Sequence, residues 1–154
     1  MRRIRNATLA VVCFTSLATA QKVEYQYDKG TAFSKLRTYG WVAIDDGPGI
    51  NRITAVNIMN LVNSQLAQKG LVAAKDGQTP DLYVGFQTSL GPDISTAGTG
   101  TLVIDIYNPT QRQLIWRGTA INTLNLGSNA DKNYINLHRA VEKLLKPFPP
   151  PGKK

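Results

Sequence analysis

Two stretches of this sequence, 51–68 and 130–146, each carry a single apolar stripe on an otherwise polar surface, which limits the fold more than any other feature. In the first, Ala55, Ile58, Met59, Val62 and Leu66 recur at three- and four-residue spacing, with Asn57, Asn60, Ser64 and Gln68 on the opposite side. In the second, the stripe is Tyr134, Leu137, Val141, Leu144 and Leu145, with Phe148 beyond it. Gly70 supplies the helix-ending C′ residue of the first, and Pro147 with Pro149-Pro150-Pro151 stops the second. A one-sided helix has to lay its stripe on another layer.

The remaining periodic segments supply that layer. Residues 23–27 alternate apolar and polar, and 37–42 are rich in β-formers. Segments 80–87, 101–107 and 113–120 read as three further strands, the last two joined by a turn at Asn108-Pro109. The order is ββαβββα. It predicts an α+β two-layer sandwich, with an antiparallel or mixed five-stranded sheet and both helices on one face.

The first twenty residues stand outside this plan. Arg2, Arg3 and Arg5 precede the short apolar run 7–17, and Ala18-Thr19-Ala20 places small residues where a signal peptidase reads them. The run is too short to cross a bilayer, and no transmembrane segment is expected after cleavage. Residue 12, before Cys13, is Val, where a lipobox needs a small residue, so a lipid anchor is not expected. The predicted organisation is a signal peptide 1–20 cleaved after Ala20, one domain 21–147, and a flexible proline-rich basic tail 148–154. The expected location is the periplasm or the exterior.

The mature chain has no cysteine and one histidine, His138, so disulfides, a cysteine-based zinc site and an intrachain two-histidine metal site are excluded. The formal charge of +8 falls when three signal-peptide arginines are removed, and the remaining basic residues are scattered. That distribution does not suit nucleic acid. Only the C-terminal third gathers cations, at Arg139, Lys143, Lys146, Lys153 and Lys154. They suit a helix C-terminus and a solubilising tail, or a weak attraction to an anionic membrane surface. No phosphate loop, nucleophile elbow, zincin motif or cofactor motif is present, and no catalytic, cofactor or metal residue is assigned.

Asp105 interrupts the most strongly β-forming segment, and alternation turns it away from Leu102, Ile104 and Ile106. If the hairpin connection has an odd number of residues, Asp105 and Arg117 share a face and pair across strands. With Leu114 and Trp116 facing the helices, the opposite face carries Val103, Asp105, Tyr107, Ile115, Arg117 and Ile121, a mixed apolar and charged set. Two readings of that face stay open: a docking surface for an envelope protein or a second copy, or a half-exposed sheet with no partner.

Several short segments together resemble the family called domain of unknown function 4136. They are Tyr27-Asp28, 33–41 (FSKLRTYGW), Lys69-Gly70-Leu71, 80–84 (PDLYV), 100–105 (GTLVID), 114–118 (LIWRG), 140–145 (AVEKLL) and Phe148-Pro149-Pro150. The resemblance implies export and an α+β domain, and carries no catalytic residue. Members are often lipid-anchored, and many have longer glycine-rich insertions where this chain has 89–99. The expected role is a non-enzymatic binding or structural module of the envelope. The alternative is a hydrolase in which Asp105, Asp81 and His138 converge in the fold.

Overall fold

A computed structural model describes residues 22–42, 50–90, 99–110, 112–125 and 130–151. The expected signal peptide and most of the 89–99 segment lie outside the described residues. The strands are β1 (Lys22–Tyr27), β2 (Thr38–Trp41), β3 (Val72–Ala73), β4 (Leu82–Leu90), β5 (Thr99–Asn108) and β6 (Gln113–Asn125). The helices are α1 (Arg52–Gln68) and α2 (Ala130–Leu145), with one 3-10 turn at Phe33–Lys35.

The α+β class holds, but the sheet has six strands rather than five, in the order β1-β6-β5-β4-β2-β3. The sixth strand is β3. It is two exposed residues long and too short to show alternation. It exists because α1 returns the chain parallel to β2, where Val72 N donates to Arg37 O at 2.9 Å and Ala74 N to Tyr39 O at 2.8 Å. β2 also pairs in parallel with β4, while β4, β5, β6 and β1 form antiparallel ladders. The sheet is therefore mixed.

Local chemistry sets the helix ends. The Asn51 side chain accepts a hydrogen bond from Thr54 N at 2.8 Å, capping the start of α1. At its other end Gly70 takes φ 82°, so that Gly70 N reaches Ala67 O and Leu71 N reaches Leu66 O, both at 3.0 Å. This is a Schellman closure, and Leu66 and Leu71 are both buried.

One core lies between helices and sheet. Ile58, Val62 and Leu66 of α1 and Leu137, Val141, Leu144 and Leu145 of α2 are buried against Leu82, Val84, Ile104, Ile106 and Trp116. α2 packs on β6, β1 and α1. Asn63 ties α1 to β2, its Oδ1 accepting from Tyr39 Oη at 2.9 Å and from Trp41 Nε1 at 3.0 Å. Tyr134, placed on the α2 stripe by its spacing, is 45% exposed because it lies in the first turns of the helix, beside the groove where α1 and α2 begin.

The C-terminal segment also differs from its expectation. Phe148, read as the start of a flexible tail, is 2% exposed, and Pro150 is buried. Phe148 meets Trp116 and Phe33 edge-on, with ring centroids 5.5 and 6.0 Å apart. The prolines end the helix and hold the chain extended along the core instead of releasing it.

Candidate functional site

The face of the sheet turned away from the helices is organised around Asp105. Although it is on that side, Asp105 is 1% exposed. Its Cα partner on β6 is Arg117, whose Nε donates to Oδ1 at 2.6 Å and whose Nη2 donates to Oδ2 at 2.7 Å. Tyr107 Oη donates to Oδ2 at 3.2 Å, and Gln87 Nε2 reaches the same oxygen from β4 at 3.4 Å. Such a two-point, charge-assisted fork is stronger and more directional than neutral hydrogen bonds. The carboxylate raises the Arg117 pKa above its already high value. Tyr107 is raised as well, first by burial and then by the Asp105 charge, so its hydroxyl keeps its proton.

A bulge creates this pairing. The hairpin closes on Asn108 and Gln113, with an even number of residues, 109–112, between them. In that register Asp105 would stand opposite Trp116 and point under the helices. Between Ile106 and Tyr107 the register slips by one, so that Tyr107 pairs with Leu114, Ile106 with Trp116 and Ile115 is the extra residue. Asp105 and Arg117 share a face through this slip, not through the odd loop that the sequence alone would require.

The same slip changes two other assignments. Leu114, expected to face the helices, becomes the cross-strand partner of Tyr107, and Ile115, placed on the outward face, is 1% exposed. Val103, Tyr107, Arg117 and Ile121 are partly buried, so the face offers a shallow mixture of apolar and polar groups. Gly85 is the β4 partner of Asp105, and a methyl there would stand 2.7 Å from Val42 Cγ2. Gln87 was missed by sequence reading; its only signal was the polar position two residues after Gly85.

The other carboxylate and the histidine lie elsewhere. Asp81 Oδ2 accepts from Arg37 N and Thr38 N, each at 2.9 Å, while Asp81 N donates to Thr38 Oγ1 at 3.0 Å. That exchange clamps the start of β2 to the start of β4. The two backbone N–H groups lower the Asp81 pKa. His138 is on the exposed side of α2, across the molecule from Asp105. The structure does not bring Asp105, Asp81 and His138 together. Among the described residues no cluster of three or more metal-ligating side chains forms. A cavity of about 350 Å³ lies between residues 27–34 and Pro150-Pro151, away from Asp105.

The architecture occurs in solved structures of low sequence identity. A PDZ domain protein from Parabacteroides distasonis superposes with a TM-score of 0.62 at 15% identity over 85% of this chain, which spans 36% of that protein. The PelC dodecamer from Paraburkholderia phytofirmans gives 0.57 at 10% identity, covering 88% of this chain and 100% of the other. A DUF4136 family protein from Bacteroides thetaiotaomicron gives 0.61 at 16% identity, covering 84% of this chain and 96% of the other. These likenesses establish the fold alone. No curated protein matches the sequence. The family model for the domain of unknown function DUF4136 matches residues 23–150, and the chain belongs to that family.

Proposed function

We propose that this chain is an exported, non-catalytic module of the bacterial envelope that works by docking, with the Asp105–Arg117 face as its contact surface. The observation that carries this reading is the state of Asp105. Both of its oxygens are held by Arg117, so it fixes a guanidinium rather than offering a carboxylate to a substrate. The Arg117 side chain remains 41% exposed, next to the partly buried Val103, Tyr107 and Ile121. A rigid cation set among apolar groups fixes the register of a partner more than it adds affinity.

Export is supported by the sequence before Gln21, where three arginines, a short apolar run and Ala18-Thr19-Ala20 follow the order of a cleavable signal. No helix of the described residues is long and apolar enough to cross a membrane. The PelC neighbour, a dodecamer, supports a role in assembly, because the same fold forms the subunits of that protein.

Two measurements test the proposal. Mass spectrometry of the processed protein should find Gln21 at the N-terminus, and a retained Met1 would remove the export reading. Val103→Lys and Ile121→Lys should abolish recovery of partners in pull-downs from native envelopes while the circular dichroism stays unchanged. Undiminished recovery would dispose of the docking face.

A further inference from the structure

β1 is an outermost strand of the sheet, and no strand among the described residues pairs with its outer side. The opposite outer strand, β3, is two residues long, whereas β1 has six residues and neither a proline nor a bulge. Proteins usually blunt so regular an edge. The hydrogen bond from Asp28 N to Ile115 O, at 2.9 Å, fixes how its backbone points. Asp28, Gln26, Glu24 and Lys22 turn their N–H and C=O groups toward β6, while Val23, Tyr25 and Tyr27 turn theirs outward. Tyr25 is 48% exposed and stacks on Tyr27 at 6.3 Å.

We propose that this edge pairs with the same edge of a second copy, antiparallel, about a two-fold axis through Tyr25. The charges of β1 select the occupant and the register. Outward-facing residues must meet outward-facing residues, so the axis can pass through Val23, Glu24, Tyr25 or Gln26. An axis through Glu24 sets that carboxylate against its own copy, and one through Gln26 sets Glu24 against Asp28 on both sides. Like charges directly opposite are destabilising. An axis through Val23 overlaps only the first residues of the strand.

The axis through Tyr25 places Lys22 opposite Asp28 twice, Val23 opposite Tyr27 twice, Glu24 opposite Gln26 twice and Tyr25 opposite itself. Tyr25 then exchanges both backbone hydrogen bonds with its copy. Asp28 keeps its carboxylate on Gly30 N at 2.9 Å and Thr31 Oγ1 at 2.7 Å, and its charge faces Lys22 of the copy, whose Nζ lies 2.6 Å from Glu24 Oε1 on its own strand and is exposed enough to serve both carboxylates. The result is an isologous contact in which one continuous sheet runs through both copies, with all helices on one side. It needs neither export nor the Asp105 face, so it stands or falls independently of the proposed function.

Residues 21–154 contain no cysteine, which makes single-cysteine scanning selective. The test uses the chain from Gln21 to Lys154 in sedimentation velocity up to about 0.1 mM. A dimer is expected, and Tyr25→Pro, which removes an outward N–H at a position an edge strand tolerates, should convert it to monomer with unchanged circular dichroism. Lys22→Glu should weaken the dimer at least about tenfold by setting like charges opposite each other. On mild oxidation, Tyr25→Cys should form a disulfide-linked dimer several-fold more efficiently than Val23→Cys, Glu24→Cys or Gln26→Cys. A monomer at every concentration, a dimer that survives Tyr25→Pro, or strongest crosslinking at another of the four positions would overturn the proposal.

Discussion

Gly118 lies on the helix side of β6, opposite Ile104, and the tightest contact in the core depends on its missing side chain. A methyl group built there would overlap both Leu144 Cδ2 and Trp116 Cη2, and would stand 2.9 Å from Trp116 Cζ3. Leu144 is 0% and Trp116 1% exposed, so neither can retreat into solvent. Overpacking a closed core usually costs 1–3 kcal/mol, and with two blocked neighbours Gly118→Ala should lie near the top of that range, about 3 kcal/mol. Gly85→Ala provides the comparison. Its methyl meets Val42, which is only partly buried and can turn aside, so the cost should stay below about 1.5 kcal/mol. Urea denaturation followed by circular dichroism measures both. Leu144→Ala alone should cost about 2–5 kcal/mol, but its cavity removes one of the two overlaps and gives Trp116 room to move off the other. The double variant should therefore be more stable than the sum of the singles by about 1–2 kcal/mol. A Gly118→Ala cost within about 0.5 kcal/mol of zero, or strict additivity with Leu144→Ala, would refute the packing argument.

Four further outcomes follow from the same geometry. Asn63→Ala removes the acceptor shared by Tyr39 Oη and Trp41 Nε1 and should cost about 1–3 kcal/mol in urea melts, with Asn63→Asp, which keeps an acceptor, costing less. Arg112 has φ 49°, so Arg112→Gly should raise stability by up to about 1 kcal/mol; a loss would show that the turn needs the side chain. Backbone N–H groups lower the Asp81 pKa, so its contribution is present above the unfolded value of about 4 and fades as pH falls through the lower folded value. Asp81→Asn should therefore flatten the pH dependence of the urea midpoint below about pH 4, and an unchanged profile would remove Asp81 from the account. Removing Arg117 leaves the buried Asp105 carboxylate without its main partner and should cost about 3–5 kcal/mol; removing Asp105 leaves a guanidinium that water reaches and should cost less, and a joint Asp105→Leu and Arg117→Met replacement should cost far less than Arg117→Met alone.

The parts of the fold that repeat were legible in the sequence. The α1 and α2 stripes and the β5 and β6 segments carry several residues per period, and Ile58, Val62, Leu137 and Leu144 are buried as their spacing predicts. Features formed by a single contact were not. β3 is two residues held by backbone bonds to β2, and no side-chain pattern announces it. Phe148 reads both as the residue beyond the α2 stripe and as the start of a flexible tail, and the structure keeps the first, with Phe148 filling the space beside Trp116 and Phe33. Alternation placed Asp105 and Arg117 on their common face, but the loop count governing their pairing depends on a bulge. Ile115 was misassigned for the same reason.

That bulge also explains why a buried carboxylate and its half-exposed guanidinium stand in a sheet that apolar residues could have filled. Slipping β6 against β5 by one residue, as the even hairpin loop alone would allow, carries Asp105 opposite Trp116 and Arg117 opposite Ile104. One of the two strands would then have to turn its charged residue beneath α2, where Trp116, Leu144 and Val141 leave no room for water. An ionised group without a partner in such a place costs several kcal/mol even after relaxation. An apolar pair in place of Asp105 and Arg117 would carry no such penalty and would leave the two registers much closer in energy. The ion pair therefore disfavours the alternative register. Once that register is set, Asp105 on β5 holds the guanidinium of Arg117 on β6 at two points, on the side of the sheet that the helices leave uncovered.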